Sequence, residues 1–169
     1  MVRRKLALAA AAGWLFVASG AWAEQVRTDL TSFAEVPTIA TLASGSFRAM
    51  IRPNADRIDY ELSYQDLTDV VQQAHIHLGT AGTIGGIITF LCTNRENEPM
   101  VSDPAPACPG PTSGTVSGTI LPGDIIGPIG QNLNPGEFDK LVAALRNGGA
   151  YVNVHTAANP AGEIRGQVR

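Results

Sequence analysis

Most of the chain alternates between apolar and polar residues with a period of two. In residues 57–64, four apolar or aromatic side chains alternate with polar ones, as on a half-buried β-strand. Residues 46–52 show the same pattern, and the turn-forming sequence 53–56 between them predicts a β-hairpin. Further strands are predicted near 31–36, 73–78, 86–91, 114–120, 150–155 and 162–168. Short strands with glycine- and proline-rich connections predict an all-β Greek-key sandwich or barrel.

One segment near the C-terminus follows the helical period instead. Its start resembles a capped helix, with Asn134 as the N-cap, Pro135 at the first helical position and Glu137 reaching back to the cap. Apolar residues then repeat at helical spacing over 138–145, before two glycines. The sequence therefore predicts one short helix of about three turns.

The beginning of the chain has the features of an export signal. Basic residues at 3–5 precede an apolar run over 6–17, and residues 21–23 have the small-x-small pattern of a signal peptidase site. The apolar run is short for a membrane span. We therefore expect a signal peptide over 1–23 and one mature domain over 24–169, in the periplasm or secreted. An uncleaved membrane anchor is the alternative.

Charge and hydropathy narrow the choice of partners. Removing the three basic residues of the leader takes the formal charge from −3 to −6, and no basic run follows. We therefore expect no binding to nucleic acid or to anionic lipid. The sequence after the leader contains no hydrophobic segment long enough to cross a bilayer, so we expect no membrane span after cleavage.

The two cysteines, Cys92 and Cys108, are expected to form a disulfide bond. An even number of cysteines in an exported chain favours this pairing. A thiolate metal site or a redox site would need a CxxC-like spacing, which these cysteines lack.

The three histidines are the strongest candidates for chemistry. His75 and His77 are two residues apart in a predicted strand, so both face the side away from the core, and His155 occupies the equivalent polar side of another strand. A neighbouring arrangement of the two strands would bring three imidazoles together. Such a site suits copper or, less well, zinc, whereas calcium or magnesium would need carboxylates. The alternative is that the histidines only hydrogen-bond neighbouring loops.

Three polar residues are candidates for the surroundings of such a site. Asn153 shares its face with His155, and Glu163 and Arg165 are spaced to share one face of the last strand. The latter two could form an ion pair near the histidines or a solvated edge. The sequence contains no nucleophile elbow and no phosphate-binding loop, so no catalytic residue is assigned.

Four motifs, taken together, resemble the CHRD (chordin-like) domain family. They occur in the family's order at 35–37, 74–79, 151–156 and 160–167. The resemblance extends over nearly the whole mature chain and implies an extracytoplasmic domain. The family is named for repeats in chordin, a secreted binder of growth factors, but it also occurs as single domains in exported bacterial proteins. It therefore does not imply growth-factor binding here.

A looser similarity is to the copper/zinc superoxide dismutases, which are Greek-key barrels with copper outside the barrel wall. On this resemblance, His75, His77 and His155 correspond to copper ligands. The bridging histidine and the zinc ligands of that family have no counterpart, which argues against a binuclear site and against full dismutase activity.

Three functions follow from the sequence. We favour a binding protein of the cell envelope that holds copper, or zinc, through the three histidines. The second is a metal-free interaction or scaffold domain with an unknown envelope or extracellular protein as its partner. The third is a mononuclear copper enzyme of the dismutase type, in which Arg165 would steer anions. Binding is favoured over catalysis, and the enzymatic alternative stays open.

Overall fold

The computed structural model describes residues 23–52, 54, 56–95 and 105–169. All but the last residue of the expected signal peptide lies outside these ranges. No helix among the described residues is both long enough and apolar enough to pass through a membrane.

Within the described ranges the chain forms one antiparallel β-sheet and one α-helix. The elements are β1 (Glu24–Thr31), β2 (Ser44–Arg52), β3 (Arg57–Gln65), β4 (Val71–Leu78), β5 (Ile87–Thr93), β6 (Gly114–Ile120), α1 (Phe138–Arg146), β7 (Ala150–Thr156) and β8 (Ile164–Gln167). The strand order is β5-β4-β7-β8-β1-β2-β3-β6, so the sheet curls until β5 and β6 approach each other. Across this seam the Tyr60 hydroxyl donates a hydrogen bond to the Leu91 carbonyl. The predicted all-β barrel with one short helix near the C-terminus is confirmed.

The period-two pattern produces the core as predicted. In β3 the apolar side chains Ile58, Tyr60, Leu62 and Tyr64 are buried, while the residues between them are half-buried. β2 and β3 pair as the expected hairpin, with Phe47 opposite Leu62. Complete burial of a leucine or isoleucine side chain contributes about 1.5–3 kcal/mol, which explains why this register is preferred over one shifted by a single residue.

The strand predicted at 31–36 is wrong. The first strand, β1, ends at Thr31, and residues Ser32–Ala34 form a short 3-10 turn. The Ser32 hydroxyl donates to the Thr41 carbonyl and accepts from the Thr41 amide. This buried side chain therefore makes the hydrogen bonds that the backbone of a neighbouring strand would otherwise make. Phe33, in this turn, is 63% exposed and does not belong to the core although it is apolar.

The predicted helix exists but begins later than the sequence suggests. α1 starts at Phe138, because Gly136 adopts a left-handed conformation with φ of 83° and the preceding residues form a turn. The Glu137 carboxylate accepts a hydrogen bond from the Asn134 amide at 2.7 Å, which closes that turn and does not cap a longer helix. The apolar residues predicted to face the core are buried, namely Phe138, Leu141, Val142 and Leu145.

The predicted disulfide between Cys92 and Cys108 is present. It lies at the base of the loop between β5 and β6. The Asn94 side chain reinforces it, because its amide group donates to the Cys108 carbonyl and accepts from the Cys108 amide. The two chain segments are thus joined by the disulfide, by these two hydrogen bonds and by a third from the Thr93 amide to the Pro106 carbonyl.

Replacing both cysteines with alanine is expected to lower the free energy of unfolding by about 3 kcal/mol, because a disulfide of this loop size restricts the unfolded chain. Urea denaturation of Cys92→Ala/Cys108→Ala and of the wild type measures the difference. Reductant is the control, since it should destabilise the wild type alone. A loss below about 1 kcal/mol would show that the pair contributes little.

Candidate metal centre

The three histidines lie on neighbouring strands and converge, as the sequence predicts. β4 carries His75 and His77, and the adjacent antiparallel β7 carries His155. Gln73 is the residue opposite His155, so His75 and His155 are diagonal neighbours on the face away from the core. One ring nitrogen of each histidine lies within 4.8 Å of those of the other two.

The cluster is more deeply covered than its position on the outer face of the barrel suggests. His75 is 2% exposed and His77 is 8% exposed, whereas His155 is only partly buried. The ring of Phe90 meets His75 edge-on, with 4.4 Å between ring centres. Tyr151 stacks parallel to His77 at 4.9 Å. These aromatic rings shield two of the three imidazoles and leave His155 as the most accessible one.

The hydrogen-bond partners of the histidines define their tautomers. Nδ1 of His77 lies 3.0 Å from the Gly85 carbonyl, and Nδ1 of His155 lies 3.1 Å from the Pro160 carbonyl. A carbonyl only accepts, so both Nδ1 atoms carry the proton and both Nε2 atoms keep a lone pair. Nδ1 of His75 lies 3.0 Å from Nε2 of His155 and therefore donates to it.

Two ring nitrogens are left without a partner by this arrangement. Nε2 of His75 and Nε2 of His77 are buried and make no hydrogen bond. Burying an acceptor without a donor is unfavourable, and a metal ion would satisfy these lone pairs. The residues therefore fit a bound metal. In the part of the chain that the structure describes, the cluster contains histidine ligands only.

All three imidazoles are held in the neutral form that metal binding requires. Burial is the main cause, and it lowers the pKa of His75 to about 2 and that of His77 to about 4. Repulsion between the histidines lowers the pKa of both further. Burial also lowers the pKa of His155, against the hydrogen bond to Pro160. No proton has to leave these side chains before a metal binds at neutral pH.

Arg165 supports the loop that covers His77. Its guanidinium lies 3.4 Å from the centre of the Tyr151 ring and donates to the carbonyls of Thr83 and Thr80 at 2.7 and 3.0 Å. The residue is only 3% exposed. This interior position does not suit the predicted role in steering anions, because its donors are directed to backbone carbonyls of the β4–β5 loop.

Glu163 forms neither the ion pair with Arg165 nor the solvated edge that the sequence suggests. It is fully buried, just before β8, and its two carboxylate oxygens accept hydrogen bonds from the Thr68 amide and the Thr156 hydroxyl, each at 2.8 Å. Among the described residues it takes part in no ion pair. It anchors the loop that presents the Pro160 carbonyl to His155.

Asn153 lies between the site and the β1–β2 loop. It is 2% exposed, and its side-chain amide donates to the carboxyl group of Glu35. Gly162 packs against this pair with φ of 129°, and a Cβ atom there would lie 2.4 Å from Asn153 Nδ2. Glu35 was missed as a member of these surroundings because it is distant in sequence. Tyr151 shares the outer face with Asn153 and His155, as the period of two predicts.

Substitution of Glu35 by glutamine is expected to remove a pH-dependent loss of stability. Burial raises the pKa of Glu35 to about 7, despite the attraction of Arg165 and the hydrogen bond from Asn153. The folded protein thus binds this proton more tightly than the unfolded chain. The resulting stability is complete below the unfolded pKa of 4.5 and is lost as the pH rises through about 7.

Urea denaturation between pH 4.5 and 7.5 measures this effect. The stability of Glu35→Gln relative to the wild type should rise with pH, by up to about 1.4 kcal/mol per unit. The titration of the histidines cancels, since both proteins contain them. Parallel pH profiles for the two proteins would contradict the raised pKa.

Comparison with known proteins gives one match. The family model of the CHRD domain matches residues 26–168, which include all three histidines. No curated protein and no solved structure matches the chain. Because the match extends from β1 to the residue after β8, the chain belongs to the CHRD domain family.

Proposed function

We propose that this protein is exported and binds copper in the cell envelope or outside the cell through His75, His77 and His155. The observation that carries the proposal is a ring nitrogen from each residue within 4.8 Å of the others. The unpartnered Nε2 atoms of His75 and His77 support it further. Zinc is the second candidate, because neutral imidazoles suit both metals.

Neighbouring backbone carbonyls and aromatic rings orient the histidine ligands. The Gly85 and Pro160 carbonyls hold His77 and His155 through Nδ1, which leaves Nε2 of each ring directed to the cluster, while the aromatic rings exclude water from the inner side. Nε2 of His77 is unpartnered, and Nε2 of His155 would exchange its hydrogen bond from His75 for the metal. A bound copper ion would supply a Lewis-acidic, redox-active centre. The accessible side, at His155, is the route by which the ion would enter.

Export is supported by two independent features. The leader-like sequence at 1–23 has the composition of a signal peptide. The disulfide between Cys92 and Cys108 is typical of an oxidising compartment. Periplasmic residence and full secretion both agree with these features.

A metal-free interaction domain is the second candidate, and one observation favours it. His77 and His155 each bond a loop carbonyl, so these histidines have a structural task without any metal. The metal-binding protein and the metal-free domain differ in their use of Nε2 of His75 and His77. A metal would bind these unpartnered atoms, whereas a purely structural role leaves them unused. We propose no anion-steering role for Arg165, since it is 3% exposed and directs donors to the Thr83 and Thr80 carbonyls.

The test is a metal titration of the protein purified after export from a suitable host. Competition with chelators of known affinity measures the binding of Cu⁺ without oxygen, and of Cu²⁺ and Zn²⁺ in air. We expect one equivalent of copper per chain, bound more tightly than zinc in at least one oxidation state. Weak or non-stoichiometric binding of Cu⁺, Cu²⁺ and Zn²⁺ alike would overturn the proposal and favour the interaction domain.

A further inference from the structure

We infer that the buried positive charge of Arg165, close to a cluster of neutral histidine ligands, biases the three-histidine centre toward monovalent copper. The inference rests on the proposed function, since it concerns which oxidation state of copper the site prefers. It is carried by the neutrality and burial of the ligands and by the position of Arg165.

The ligands do not offset the charge of a bound ion. All three donors are neutral imidazoles, and the cluster includes no carboxylate or thiolate among the described residues. His75 and His77 are almost fully buried, so water cannot compensate the charge from their side. The cost of burying an ion rises steeply with its charge, which makes Cu²⁺ less favourable than Cu⁺ in such a site.

Arg165 adds a fixed positive charge behind His77. Its guanidinium contacts Tyr151, and the ring of Tyr151 stacks on His77. Two backbone carbonyls hold the guanidinium in place, and at 3% exposure its charge is weakly screened by solvent. The repulsion between this charge and a metal ion doubles when the ion carries two charges in place of one.

Glu35, an acid that Arg165 attracts, does not cancel the charge of the arginine in mildly acidic solution. Glu35 and Arg165 attract each other, but burial raises the pKa of Glu35 to about 7. At pH values well below 7 the carboxyl group is therefore largely neutral, and the arginine remains uncompensated.

The test compares the affinities for the two oxidation states at pH 6. Cu⁺ is titrated without oxygen, with ascorbate present, against a Cu⁺-specific chelator, and Cu²⁺ is titrated in air against a Cu²⁺ chelator. A thiol assay must show that the disulfide is intact, because free cysteines would bind Cu⁺ themselves. We expect the wild type to bind Cu⁺ more tightly than Cu²⁺.

Variants of Arg165 identify the source of the preference. Arg165→Gln is expected to reduce the ratio of Cu⁺ to Cu²⁺ affinity about tenfold, a potential shift of about 59 mV for one electron. Arg165→Lys retains the charge and should retain most of the ratio. If Arg165→Gln fails to fold, the comparison of the two oxidation states in the wild type still decides the inference. Arg48→Gln, at an exposed position on β2, is the matched control and should change nothing.

The outcomes separate this inference from the proposed function. If neither oxidation state binds, the metal site itself is wrong. If both bind but Cu²⁺ binds more tightly, the site stands and the inference is overturned. An unchanged ratio in a folded Arg165→Gln variant would also overturn it, since the charge of Arg165 would then play no part.

Discussion

Replacement of His77 by alanine is expected to weaken copper binding by at least about a hundredfold. The residue would supply one of three ligands, and loss of a group that merely supports a ligand already costs 10- to 100-fold. Its Nε2 atom is buried, unpartnered and held in position by the Gly85 carbonyl and the Tyr151 ring. Chelator competition on the purified variant measures the change.

The fold should survive this substitution, because His77 lies outside the main hydrophobic core. Circular dichroism and a thermal melt check that point. Thr115→Ala, at an exposed position on β6, is the control and should bind copper like the wild type. Copper affinity within a few-fold of the wild type in His77→Ala would exclude this residue as a ligand.

Replacement of Glu163 by alanine is expected to lower the free energy of unfolding by about 4 kcal/mol. Each of its carboxylate oxygens accepts one hydrogen bond, and removal leaves the Thr68 amide and the Thr156 hydroxyl without that acceptor. A buried polar group left unsatisfied costs about 1–3 kcal/mol. Urea denaturation measures the loss.

Two variants make this measurement specific. Glu163→Gln retains one acceptor oxygen and should lose less than the alanine variant. Glu61→Ala removes a carboxylate whose partner is the exposed Arg48, and it should cost below about 1 kcal/mol. If Glu163→Ala costs no more than Glu61→Ala, the buried network contributes little to stability.

The period of two was sufficient to predict most of the fold. It located the β2–β3 hairpin and put His75 and His77 on one face, because side-chain direction in a strand depends only on parity. It failed around Ser32, where a buried hydroxyl bonds the Thr41 backbone. That contact depends on how the β1–β2 loop closes, which no local pattern specifies.

Contacts around the site were harder to predict than the site itself. Glu163 and Arg165 share a segment and carry opposite charges, yet each is bound by groups distant in sequence, Thr68 for one and Thr80 and Thr83 for the other. Parity predicts which way a strand residue points but not which loop covers it. Among the described residues, loops that follow β1, β4 and β7 contact this face of the barrel, and their positions follow from tertiary packing.

X-ray absorption spectroscopy of the copper-loaded protein tests the central claim most directly. Multiple-scattering analysis counts the imidazole rings bound to the metal. We expect three imidazole ligands in the wild type and two in His77→Ala, with no sulfur ligand, because both cysteines are in a disulfide. A copper ion with one imidazole or none in the wild type would contradict a centre built from His75, His77 and His155.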